Sequence, residues 1–81
     1  MNLKPMYETW SVGNSQSFLY TEDRELAKFV GTSVGKAGTT YELSGRIYAW
    51  QFRLKTELVP LLVRKYMETR ALKNNDLERA A

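Results

Sequence analysis

Ser33 and Lys36 stand three residues apart in the stretch Gly31-Thr32-Ser33-Val34-Gly35-Lys36-Ala37-Gly38. That is the Ser-x-x-Lys spacing in which a nearby lysine lowers the barrier to attack by a serine hydroxyl. Its companion motifs are missing, the stretch is glycine-rich, and 81 residues leave little room for a substrate pocket. The same residues approach a phosphate-binding loop, with Gly31 ahead of Gly35-Lys36. The spacing is one residue short, and Ala37 stands where the magnesium-binding Ser or Thr belongs. The stretch also follows a predicted helix and precedes a predicted strand, the reverse of what such a site needs. A mobile connection accounts for residues 31–38 without invoking chemistry.

Glu22, Asp23 and Glu25 are the other cluster that could carry chemistry, as paired carboxylates or a cation site. Their place at a predicted helix start explains them, because the helix dipole favours negative charge there. The chain has no histidine and no cysteine, so a metal would need an all-oxygen cage, and no calcium-loop spacing is present. Tyrosine nucleophiles work beside histidine or metal ligands, so Tyr20 and Tyr66 read as packed or amphipathic residues. The expectation is a chain that is not an enzyme, with no cofactor, no metal and no small-molecule substrate.

Length and composition bound the rest. Eighty-one residues make one domain (1–81, with about 75–81 a fraying C-terminal end), small enough that its core has little stability to spare. Oligomerisation is therefore expected to matter. A hydrophobic fraction of 43% and a charged fraction of 26% are ordinary for a globular domain, and no apolar run approaches the roughly 20 residues of a membrane span. The N-terminus lacks the apolar stretch of a signal peptide, and the absence of cysteine fits a cytoplasmic location. Twelve basic residues against nine acidic ones give a net charge of +3, too mild to demand nucleic acid.

The elements that must position any site follow from hydrophobic period. Residues 7–12 alternate in part, Gly13-Asn14-Ser15 supply turn residues, and residues 17–20 return as a second strand. A three-residue loop pairs Trp10 with Phe18 and sets Val12 and Tyr20 on that face. Thr21 is a candidate N-cap for a helix over residues 22–30, with Leu26, Phe29 and Val30 as its apolar stripe and Gly31 closing it. Thr39–Leu43 and residues 46–54 flank the turn Ser44-Gly45, which sets Tyr41 opposite Tyr48 and Leu43 opposite Arg46. Tyr41, Leu43, Tyr48, Trp50, Phe52 and Leu54 then share one face. A second helix follows, with Thr56 as cap, Pro60 confined to its first turn, and Leu58, Val59, Leu62 and Tyr66 on one side. It should run to about Lys73.

The predicted fold is α+β, in the order ββαββα: a four-stranded, mainly antiparallel sheet with both helices on its aromatic face. The predicted core is Trp10, Val12, Phe18, Leu26, Phe29, Tyr41, Tyr48, Trp50, Phe52, Leu58 and Leu62. The opposite face stays open and presents Thr9, Leu19, Thr40, Ile47, Ala49, Gln51 and Arg53. That face, flat and moderately apolar, is the expected contact surface for a protein partner or a second copy.

These features point to a small non-enzymatic binding module, a regulator or inhibitor acting through protein contacts, with a homodimer as one form of that contact. Small cofactor-free domains of this kind are frequent among accessory proteins of phages and mobile elements, an association of composition only. The alternative is a weakly basic nucleic-acid-binding protein, with Lys36, Arg64, Lys65, Arg70 and Lys73 contacting phosphates. Nucleic acid ranks second because the predicted register hides the aromatic rings beneath the helices.

Overall fold

Two tight turns frame the sheet. Asn14 and Ser15 take φ of 53° and 59°, and Ser44 and Gly45 take 54° and 80°. Positive φ at both central residues matches the right-handed twist of the flanking strands, which is why such turns close hairpins. The computed structural model describes residues 7–80, with 72–80 described as backbone only. Its elements are β1 (Tyr7–Gly13), β2 (Gln16–Thr21), α1 (Arg24–Val34), β3 (Thr39–Leu43), β4 (Arg46–Lys55) and α2 (Leu58–Ala80). The sheet order is β1-β2-β4-β3, antiparallel throughout, so the two hairpins meet along β2 and β4. This is the α+β fold, in the ββαββα order, that the sequence predicts. No helix among the described residues is long and apolar enough to cross a membrane.

Trp10 pairs with Phe18 as predicted, by a different route. The turn has two residues, and a bulge at Val12, between the pairs Ser11–Ser17 and Gly13–Gln16, restores the register.

The helix starts differ from those predicted. Asp23, not Thr21, caps α1: its carboxylate accepts from the backbone N–H of Glu25 at 3.0 Å and of Leu26 at 3.3 Å. Thr21 ends β2 instead, fully buried, and its Oγ1 accepts from the Asp23 N–H at 2.9 Å. Nor does Gly31 close α1. The helix continues to Val34, which packs against the core, and closes at Gly35, whose N–H donates to Gly31 O at 2.9 Å. A mid-helix glycine costs only about 1 kcal/mol, and Val34's contacts offset it. Thr56 precedes α2 in a turn, where its N–H donates to Ser15 O at 2.8 Å. Pro60 lies in the first turn of α2, as predicted. The helix passes Lys73 and Asn74-Asn75 and reaches Ala80, beyond the predicted end, while Ala81 lies outside the described residues.

The core is largely aliphatic. Leu19, Leu26 and Val30 are fully buried, with Phe52, Leu54, Val59 and Tyr66 beside them. Phe29, Trp50, Leu58 and Leu62 pack against this cluster from its margin. Leu26, Phe29, Trp50, Phe52, Leu58 and Leu62 therefore lie where the sequence places them. Trp10, Val12, Phe18, Tyr41 and Tyr48 do not: Trp10, Val12 and Tyr48 are 43%, 39% and 45% exposed.

In the first hairpin the two faces are exchanged. β2 is apolar on both sides, so a period of two cannot choose between Phe18 and Tyr20 on one face and Leu19 on the other. The helix junctions decide it. Ser17 and Thr21 share the face of Leu19, and their hydroxyls meet the residues that lead into α2 and α1: Ser17 Oγ lies 2.7 Å from Thr56 Oγ1, and Thr21 Oγ1 takes the Asp23 N–H. Both groups are buried, and leaving them unpaired would cost about 1–3 kcal/mol each.

In the second hairpin a bulge splits the predicted face. Tyr41 pairs with Ala49, while Glu42 pairs with Ile47, leaving Tyr48 as the extra residue of β4. Tyr48 and Ala49 then both lie on the side of Tyr41. Trp50, Phe52 and Leu54 face the helices, in line with Leu19 through the Leu19–Phe52 pair.

Candidate functional site

The sheet face away from the helices carries an aromatic surface. Pairing places Trp10 with Phe18 on β1 and β2, and Tyr20, Tyr41 and Tyr48 across β2, β3 and β4. Their rings touch in two groups. Trp10 and Phe18 are 5.7 Å apart between centroids and tilted by 46°. Tyr41 joins Tyr20 at 5.6 Å, edge to face, and Tyr48 at 6.4 Å. Ala49, fully buried yet no member of the helix-facing core, occupies the same face opposite Tyr41. A small residue there leaves room for the tyrosines to close over the strand.

Polar and charged groups edge these rings. The Arg53 guanidinium lies over the Phe18 ring at 6.0 Å, a cation–π contact on an exposed side chain. Lys55 stands opposite Gln16 and Arg46 opposite Leu43, both on this face by alternation. Glu8, opposite Tyr20, is the acidic residue of the strands on this side. The Tyr20 hydroxyl donates to Glu22 Oε2 at 2.9 Å. That bond to a carboxylate, first among several causes, holds the phenol proton, and the Tyr20 pKa is pushed up to about 12. The Tyr41 hydroxyl donates to Gln51 Oε1 at 3.0 Å, fixing the amide beside the ring.

Of the residues the sequence assigns to the open face, Ala49, Gln51 and Arg53 lie there. Thr9, Leu19, Thr40 and Ile47 lie on the helix side, by their pairing with Leu19, Phe52, Trp50 and Glu42 respectively. Leu19 is wholly core, and Thr9 Oγ1 donates to Phe18 O at 2.8 Å. The residues missed are Trp10, Phe18, Tyr20, Tyr41 and Tyr48. A signal for them was present in β2, where hydroxyl residues at both ends share the face of Leu19.

The cations of the nucleic-acid alternative lie on other elements. Lys36 lines a groove of about 370 Å³ between α1 and the β3–β4 hairpin, with Arg24, Lys28, Trp50 and Phe52. Arg64 and Lys65 are exposed on α2. Arg70 lies 3.9 Å from Asp23 and over the Tyr66 ring at 5.9 Å. Lys73 belongs to the backbone of α2, but its side chain lies outside the described residues.

The Ser-x-x-Lys pair is divided between elements. Ser33 is in α1, where its hydroxyl donates to Phe29 O at 3.2 Å, and Lys36 is in the connection beyond. Asp23 is accounted for as the α1 cap, Glu22 by its bond to Tyr20, and Tyr66 by packing in the core, where burial above all raises its pKa. Among the described residues no group of His, Cys, Asp or Glu could hold a metal ion.

The class these features define is an α+β domain with two helices on one side of a four-stranded sheet and an aromatic, cation-edged surface on the other. No family model, curated protein or solved structure matches the chain.

Proposed function

We propose that this protein is a non-enzymatic binding module whose contact surface is the open sheet face. One observation carries the reading: Trp10 and Tyr48 are 43% and 45% exposed on a side of the sheet that neither helix packs against. A small domain gains nothing in stability by holding large rings in water, and aromatic residues with arginine dominate the energetics of contact surfaces. With no nucleophile–base pair assembled among the described residues, such a module acts by occupancy: it blocks, holds or delivers what it binds. A regulatory or inhibitory role follows from that mode of action.

The face also reverses an expectation. The sequence ranks nucleic acid below a protein partner because the predicted register covers the rings. The rings lie uncovered, so that reason no longer applies.

Site-specific photo-crosslinking in the native cell tests the choice of face. A photoreactive phenylalanine at position 48 is expected to capture a partner, and the same group at position 65 on α2 is expected to capture far less. Capture from position 65 alone would place the contact surface on the helices and end this reading.

A further inference from the structure

We propose that the open sheet face takes single-stranded nucleic acid, with bases stacking on the two ring groups; the inference rests on the contact-surface reading above. Every base has a π-face, and exposed rings on a sheet take successive unpaired bases with little regard to sequence. The Trp10–Phe18 pair lies over β1 and β2, and the Tyr20–Tyr41–Tyr48 group lies over β2, β4 and β3. At a strand spacing of roughly 4.8 Å, the four strands make a platform about 14 Å across. A chain of nucleotides crossing the strands therefore meets one ring group and then the other. A duplex offers no free base faces, and a flat sheet does not enter its grooves.

Charge favours the same occupant. On the strands of this face Arg46, Arg53 and Lys55 oppose Glu8, while Glu22 lies just past β2, bonded to Tyr20. Arg53 lies over the Phe18 ring, and Arg46 and Lys55 flank the platform at the two ends of β4. Lysine is depleted in protein interfaces but suits a phosphate backbone, and arginine serves at either. Among the aliphatic residues, Val12 and Leu43 lie by the turns and Ala49 is buried, so the middle of the surface is rings and Arg53 rather than an apolar patch, with Arg46 and Lys55 at the two ends of β4.

Fluorescence anisotropy of labelled oligothymidine and oligouridine at a series of salt concentrations tests the proposal on the full chain. Binding is expected, with a salt slope of about −2, the value for three neutralised phosphates on a single strand. Trp10→Ala and Tyr48→Ala should each weaken binding by about 10-fold or more, while Tyr48→Phe, which keeps the ring, should stay near wild type. Arg53→Gln should lower the salt slope by about 0.7, and Arg64→Gln with Lys65→Gln should leave both affinity and slope unchanged. A duplex of the same length should compete poorly.

Absence of oligonucleotide binding at low salt overturns the inference, as does binding indifferent to Trp10→Ala and Tyr48→Ala. If binding is absent while position 48 still crosslinks to a protein, the contact surface stands and its occupant is a protein. If binding instead follows Arg64 and Lys65, and crosslinks come from position 65, both readings fail together.

Discussion

Ser17 Oγ and Thr56 Oγ1 lie 2.7 Å apart, joining the first hairpin to the residues that lead into α2. Ser17 is buried, and the Thr56 N–H also reaches Ser15 O at 2.8 Å, so the junction is held by side chain and backbone together. Ser17→Ala and Thr56→Ala should each cost about 1 kcal/mol, and the double variant less than the sum, because removing both partners leaves no orphaned hydroxyl. Urea denaturation of the four proteins checks this. Strict additivity would show that the two hydroxyls do not interact.

The orientation of the first hairpin predicts an unequal pair of neighbours. Leu19→Ala should cost about 2–5 kcal/mol, as truncations at wholly buried leucines do. Phe18→Ala removes a larger side chain from the open face and should cost less than half as much. A thermal or urea midpoint falling further for Phe18→Ala would reverse the two faces.

The second turn has room for improvement. Ser44 holds a φ of 54°, a conformation that asparagine tolerates better, and Gly45 holds 80°. Ser44→Asn should raise stability by a few tenths of a kcal/mol, whereas Gly45→Val should lower it by about 1–2 kcal/mol through strain at positive φ. Melting temperatures that move the other way would show a different turn in solution.

Tyr20 gives a test in alkali. Its pKa is raised from 10.0 to about 12, so across that window the folded chain holds a proton that the unfolded chain has lost. The Tyr20 contribution to stability is therefore fully present below about pH 10 and is lost as pH rises towards 12. Glu22→Gln removes the carboxylate and should bring one phenol back towards its ordinary titration range in an ultraviolet absorbance titration. If the titration curve is unchanged, the Tyr20–Glu22 bond is not made in solution.

Element order, both hairpins and the Trp10–Phe18 register were legible because turn residues and period report local conformation. The face of each hairpin was legible only in part. Trp50, Phe52 and Leu54 lead straight to α2, and their side was apparent from the sequence. In β2, apolar residues occupy both sides, and the choice rests on the Ser17–Thr56 contact and the Thr21–Asp23 turn, the first of which joins residues 39 apart in sequence. The bulge at Tyr48 carries no glycine to announce it, yet it moves Tyr48 and Ile47 to opposite sides from those that alternation predicts. Thr9, Leu19, Thr40 and Ile47 were assigned to the open face for the same reason: size and aromaticity measure how much burial would gain, and long-range bonds decide which residues are buried.

The central seam of the sheet also orders assembly in time. Each hairpin and the helix after it are built from neighbours in sequence, and hairpins close in roughly 1–10 μs. The β2–β4 seam joins segments separated by all of α1 and β3, and its closure carries the loop entropy of that intervening chain. Closing the seam along Leu19 and Phe52 is therefore the expected slow step, and substitutions there should slow refolding, whereas changes at Ser44-Gly45 should act on an earlier, faster event. Until the seam closes, the halves expose two unpaired strand edges, and one half can dock onto the complementary half of a second chain. Exchange of halves between molecules is thus the misfolding route that this strand order invites at high concentration.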